Sequence, residues 1–178
     1  MLRAAVTAVV IAIGSLVLAG CWVAREPVLT KENADYPFVK LKVQIGNDRD
    51  VVTLVRSGDV YVFEEDRNNP GPAEYFLFKR VSEGLYISQE TFPQFNNMNV
   101  YAIIRHEGEL LKTPYCGNYS QAKLDKYGVV VLKGDKLGDI IHGKPCQVQR
   151  LEQLVGLSSE EPDGTEKIRT AKIVAAER

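Results

Sequence analysis

The sequence predicts a mainly β protein, a β-rich α+β fold built as an antiparallel meander of hairpins with a short C-terminal helix. Three observations predict it. Residues 38–45, "FVKLKVQI", place Val39, Leu41, Val43 and Ile45 in alternation with Lys40, Lys42 and Gln44, the period of a half-buried strand. Three later apolar stretches are each interrupted by a short glycine-bearing turn, the signature of successive hairpins. Near the end the period changes: Leu151, Leu154 and Val155 fall at i, i+3 and i+4, which is one face of a helix.

Taken in order, "GNDRD" turns the chain after the first strand, and Val51–Arg56 and Val60–Glu64 form a hairpin about Ser57-Gly58. "DRNNPGPA" is a loop dense in breakers. "EYFLFKRVSEGLYISQ" is a second hairpin bending at Ser82-Glu83-Gly84, and "MNVYAIIRHEGELLKT" a third bending at Glu107-Gly108, with "ETFPQFNN" between them. Such short, local connections suit one sheet that curves or partly closes to bury a face. "YCGNYSQAKLDKYG" reads as a short helix or an irregular crossover, and "VVVLKGD" as a strand. "CQVQRLEQLVGL" opens extended and turns helical, with Gly156 expected at its frayed end. The body of the domain is therefore expected over 37–160, and 161–178 as a C-terminal strand or tail.

Size and charge narrow the function classes. The 178 residues are 45% hydrophobic and 25% charged, with a net charge of −1, which suits one folded domain. No excess of positive charge exists to neutralise phosphates, so no nucleic-acid partner is expected.

The N-terminus carries the most specific signal. Met1-Leu2-Arg3 is a short positive start, Ala4–Leu18 is apolar apart from Thr7, Gly14 and Ser15, and Ala19-Gly20 precede Cys21. This order is that of an export signal; an uncleaved spanning helix is the alternative, since the run approaches the ~20 residues such a helix needs. Leu18-Ala19-Gly20-Cys21 matches the lipobox at every position, and residues 1–21 closely resemble bacterial lipoprotein precursors. The resemblance implies that 1–20 is a signal peptide cut before Cys21, that the Cys21 sulfur is diacylated, and that the new amino terminus is acylated. It implies a membrane partner through the lipid anchor and a place in the bacterial envelope. Trp22 is not the Asp that signals inner-membrane retention in enteric-type bacteria, so an outer-membrane position facing the periplasm is expected. Residues 21–36, mixed and without clear period, then read as a lipidated tether reaching up to about 50 Å, with Trp22 able to sit at the headgroup level.

With Cys21 assigned to lipid, Cys116 and Cys146 remain. In an oxidising compartment such a pair reads as a disulfide. A metal or redox pair is the competing reading, but the spacing is far from C-x-x-C and no histidine cluster accompanies it.

Catalytic and metal signatures are weak. "HEGEL" begins like a zinc-protease motif, but position 110 is Leu, so His106 has no i, i+4 partner. His142 lies in "DIIHGKP" with no nucleophile at a recognisable spacing. Asp48 and Asp50 of "NDRD" lack the ligand run of a calcium loop, and "KGDKLGD" reads as turn chemistry. No catalytic residue, metal ligand or cofactor is predicted. The aromatic set Tyr61, Phe63, Tyr75, Phe76, Phe78, Tyr86 and Tyr101 reads as core and cross-strand pairing, with an exposed patch for a partner as the alternative. The expected function is a non-enzymatic binding or accessory lipoprotein with an envelope protein as a possible partner. The alternatives are an inhibitor or immunity protein using loop 66–73 or 90–98, and a cell-envelope hydrolase.

Overall fold

The computed structural model describes residues 22–45, 51–68, 74–93, 97–132, 145–164 and 168–178. Cys21, His142, Asp48, Asp50 and the "KGDKLGD" segment lie outside these residues, as do parts of the two loops named above.

The first strand, β1 (Trp22–Ala24), stands beside the main sheet. Then β2 (Lys40–Ile45), β3 (Val51–Ser57), β4 (Val60–Phe63), β5 (Tyr75–Ser82), β6 (Leu85–Phe92), β7 (Met98–Glu107) and β8 (Leu110–Thr113) pair antiparallel, each with the next. Two short strands follow, β9 (Val130–Val131) and β10 (Cys146–Gln147). The last strand, β11 (Arg169–Glu177), pairs with β8 along one edge and with β2 along the other. The meander is thereby closed into an eight-stranded antiparallel barrel, β2 to β8 plus β11. The C-terminal segment left open as strand or tail is thus a strand, and the domain does not stop at residue 160. A bulge between Ile173 and Ala175 interrupts the β11–β2 register, and a bulge increases local twist, which closure needs.

The hairpin turns form where glycine allows them. Gly58, Gly84 and Gly108 all have positive φ, the backbone that tight hairpins require. Gly84 is constrained twice over, because a Cβ there would lie 2.9 Å from the His106 carbonyl oxygen, whose own amide donates to the Gly84 carbonyl at 2.7 Å.

Closure gives the sheet an inside, and period two fills it. Val52, Leu54, Tyr61, Phe63, Phe76 and Phe78 make one buried cluster facing the lumen. The opposite face of β5–β7 is buried as well: Leu77, Ile87, Tyr101 and Ile103 belong to a second cluster with Trp22, Leu29, Leu154 and Leu157. Large side chains on both faces of the second hairpin follow from this double coverage.

The outer layer contains the segment expected to be a tether. Trp22 is fully buried, pairs antiparallel with Tyr101 and parallel with Cys146, and meets the Tyr119 ring edge-on at 5.7 Å. Farther on, the Leu29 amide donates to Gln89 Oε1 at 3.0 Å, the Val28 amide to the Tyr101 hydroxyl at 2.8 Å, and the Asp35 amide to the Phe78 carbonyl at 2.7 Å. Residues 22–36 are therefore a strap packed on the barrel, and Trp22 does not sit at a headgroup level. Burying an indole removes roughly 200 Å² from water, worth about 5 kcal/mol at ~25 cal/mol per Å². That exceeds the roughly 1–2 kcal/mol of backbone entropy lost in ordering the residue.

Among the described residues, two helices add to the layer, α1 (Gln121–Lys126) and α2 (Leu151–Ser158). In α2 the expected apolar face is present but rotated: Leu154 and Leu157 are fully buried, whereas Leu151 and Val155 are half-buried. Gly156 lies inside this helix, not at a frayed end. A Cβ at Gly156 would collide with the Tyr127 ring, so glycine is there to let α2 approach the end of α1. Gln153 binds the same junction. Its Oε1 accepts from the Gln149 and Arg150 amides, and its Nε2 donates to the Tyr127 and Gly128 carbonyls. Cys116, in a one-turn 3-10 helix after β8, and Cys146 on β10 stand at disulfide distance, with Cα atoms 5.9 Å apart.

Candidate functional site

The lumen is lined by every second residue of the barrel strands. Those positions are apolar along most of β2, β3, β4 and β5, with Arg56 and Arg80 on the same face at the hairpin-turn end, so the middle of the interior is a hydrocarbon-like space with few polar groups. Among the described residues, two cavities lie in it. One, of about 140 Å³, lies toward the end where β2 runs into β3, and has Val43, Val52, Phe63, Phe76, Ser88 and Ala102 among its walls. The other, of about 100 Å³, lies toward the tight hairpin turns and is bounded by Phe38, Tyr86, His106, Ile173 and Arg178 among others. Leu41, Phe78, Ile104 and Leu111 line both, so the two chambers meet at a waist of four apolar side chains. An eight-stranded barrel is just wide enough either to be filled by its own side chains or to hold one small ligand. Here the filling is incomplete.

Aromatic rings stiffen the hairpin-turn end. The Tyr61 hydroxyl donates to the Phe38 carbonyl at 2.8 Å, and its ring contacts Phe38 and Phe78 at centroid distances of 4.4 and 5.2 Å. Burial is the main cause that raises the Tyr61 pKa above that of an ordinary tyrosine, so Tyr61 is a neutral donor. His106 lies within β7, opposite Leu111, half-buried against the smaller chamber.

At the opposite end sits a group that the motif search did not flag. Glu90 is 1% exposed, and neither carboxyl oxygen has a hydrogen-bond partner. It lies directly across from Phe76 on β5 and Val100 on β7. Residues directly opposite in antiparallel strands share a face, so Glu90 projects to the side on which Phe76 lines the larger chamber. Burial, and secondarily the nearby charge of Glu74, hold its pKa well above the usual carboxylate value, which makes Glu90 a neutral carboxylic acid. Arg169 also lines this chamber, but its Nε donates to the Tyr115 hydroxyl at 2.7 Å.

Of the aromatic set, Tyr61, Phe63, Phe76, Phe78 and Tyr101 are buried, and Tyr75 and Tyr86 half-buried, so these rings form core and lumen wall rather than an exposed patch. Residues 90–92 and 98, expected in a protruding loop, belong to β6 and β7. Among the described residues no three His, Cys, Asp or Glu side chains converge as a metal site requires, and no helix is long and apolar enough to cross a membrane. The fold and the lumen define a closed antiparallel barrel with an apolar interior. The sequence matches no family model, and no curated protein or solved structure is significantly similar to it.

Proposed function

We propose that this chain is a lipid-anchored bacterial envelope protein that acts by binding rather than by catalysis, and that its binding site is the barrel lumen. The observation that carries the reading is the pair of apolar chambers meeting at Leu41, Phe78, Ile104 and Leu111. A stable protein fills such space or uses it, because unfilled core volume costs stability. The ligand class that fits is small and largely apolar. The anchor rests on the lipobox at Leu18–Cys21, and the outer membrane facing the periplasm is its proposed location.

Two measurements test the two halves. Metabolic labelling with a tagged fatty acid should mark the wild-type chain but not the Cys21→Ser variant, which should accumulate as unprocessed precursor. Normal processing and membrane retention of that variant would remove the anchor from the reading. Narrowing the lumen with Ala102→Leu should abolish binding of a small apolar probe such as toluene, and unchanged binding would place the probe elsewhere.

A further inference from the structure

Resting on the reading of the lumen as the ligand site, the wall of the smaller chamber adds a preference for charge. We infer that the lumen takes an anionic amphiphile, a carboxylate on one chain of about eight to ten carbons. Its head is bound by Arg178 and His106 in the smaller chamber, and its chain runs past the waist into the larger one.

The chain follows from shape and size. Chambers of about 140 Å³ and about 100 Å³ share Leu41, Phe78, Ile104 and Leu111 as walls, so an elongated apolar ligand that parts these four side chains occupies both. An apolar cavity of roughly 150 Å³ accepts benzene, and on that scale the two chambers together have room for about ten carbons. Ser88 and Ala102, small residues opposite each other on β6 and β7, leave the space at the far end.

The head follows from the polar groups. Among the described residues that wall the smaller chamber, Tyr86, His106 and Arg178 have polar side chains and none has a carboxylate. His106 comes two residues after Ile104 and Arg178 two after Ala176, all four lining this chamber. His106 is half-buried and Arg178 exposed, which places the donors toward water and the apolar side chains behind them. Among the described residues no hydrogen bond or ion pair engages the His106 ring or the Arg178 guanidinium. A guanidinium stays charged and presents a planar fork of N–H donors that matches a carboxylate, and the imidazole adds another N–H.

The surroundings favour the same sign. Arg56 and Arg80 continue the lumen face two residues beyond Leu54 and Phe78 at this end. Asp35 is already engaged by the Lys79 ammonium and the Arg80 amide. Asp59 and Glu32 act on Tyr36, where Arg56, 4.1 Å over the ring, opposes them. A cationic head would therefore meet Arg178 with no acid in the wall to pair with. The larger chamber is the poorer place for an anion, because its cation, Arg169, already donates to Tyr115.

Butyrate, octanoate, 1-octanol and octylamine, titrated against the full chain in lipid nanodiscs, test this. Affinities are referred to free ligand in the aqueous phase, and the readouts are the Ile104 and Ala102 methyls, the His106 ring and their contacts to the ligand. Octanoate should bind with its α-methylene at the His106 ring and its methyl end at Ala102. Octylamine should bind at least about tenfold more weakly, and butyrate, four methylenes shorter, about a hundredfold. Arg178→Met should weaken octanoate about tenfold, the scale of a lost hydrogen bond to a charged group, and leave 1-octanol within about twofold of the wild type, which also shows that the barrel is intact. Octylamine as tight as octanoate, an Arg178→Met variant that binds octanoate like the wild type, or a carboxylate found beside Arg169 would overturn the anionic head and leave the lumen site standing. Butyrate within about tenfold of octanoate, or an octanoate methyl end that stops short of Ala102, would overturn the chain. If neither octanoate nor 1-octanol moves Ile104 or Ala102, the lumen reading falls and this inference with it.

Discussion

The Tyr101 hydroxyl accepts a hydrogen bond from the Val28 amide at 2.8 Å across 73 residues of sequence. It holds the N-terminal strap to the outer face of the barrel. Tyr101→Phe leaves a buried amide without a partner, which costs about 1–3 kcal/mol. At roughly 2–4 °C per kcal/mol for a domain of this size, the melting temperature should fall by several degrees. Limited proteolysis should cut the variant within 25–36 before the barrel opens; an unaltered cleavage pattern would mean the strap is held by other contacts alone.

Gly156→Ala should destabilise the protein even though alanine favours a helix by about 1 kcal/mol over glycine. The added methyl meets the Tyr127 ring, and overpacking of this kind costs about 1–3 kcal/mol. Combining it with Tyr127→Ala should relieve the clash, so a double-mutant cycle by urea denaturation should give a coupling energy clearly different from zero.

Stability should depend on pH through Glu90. The carboxyl titrates higher in the folded protein than its ordinary value of 4.5, so the folded state holds a proton that the unfolded chain has already released. Stability is then fully present below about pH 4.5 and declines as pH rises toward the folded-state pKa. Between pH 5 and pH 8 the wild type should lose stability relative to Glu90→Gln. Parallel curves for the two proteins would contradict a neutral Glu90.

Cys116 and Cys146 should form a disulfide under oxidising conditions, blocking both from thiol labelling after unfolding without reductant. Closing a separation of 30 residues is worth about 3–4 kcal/mol in the chain-entropy model. Urea denaturation with and without reductant should show a loss of that order.

Much of the barrel was legible in the sequence because hairpins are local. Val51–Arg56 with Val60–Glu64, and the bends at Glu83-Gly84 and Gly108, are each read from a few neighbouring residues. The position of Glu90 needs one step more: the turn at Ser82–Leu85 alone would set Thr91 across from Phe76, and a bulge between Arg80 and Ser82 shifts the register by one residue and puts Glu90 there. What hid it was its neighbours: Ser88, Gln89, Glu90 and Thr91 are polar on both faces of a strand buried on both faces, which no alternation pattern exposes. Closure was not legible, since the pairing of β11 with β2 joins Glu177 to Lys40 across most of the domain. The strap was misread for a related reason. Trp22, Val28 and Leu29 follow no period, and each is buried against a surface assembled from distant strands.

The burial of Trp22 bears on how the proposed anchor would act. Consecutive Cα atoms are about 3.8 Å apart, so a lipid on Cys21 would be joined almost directly to a residue locked between β7 and β10. No polymer-like leash would intervene. The barrel would ride on the bilayer as a rigid body in a restricted orientation, and which chamber faces the lipid would be decided by the sheet, not by the statistics of a linker.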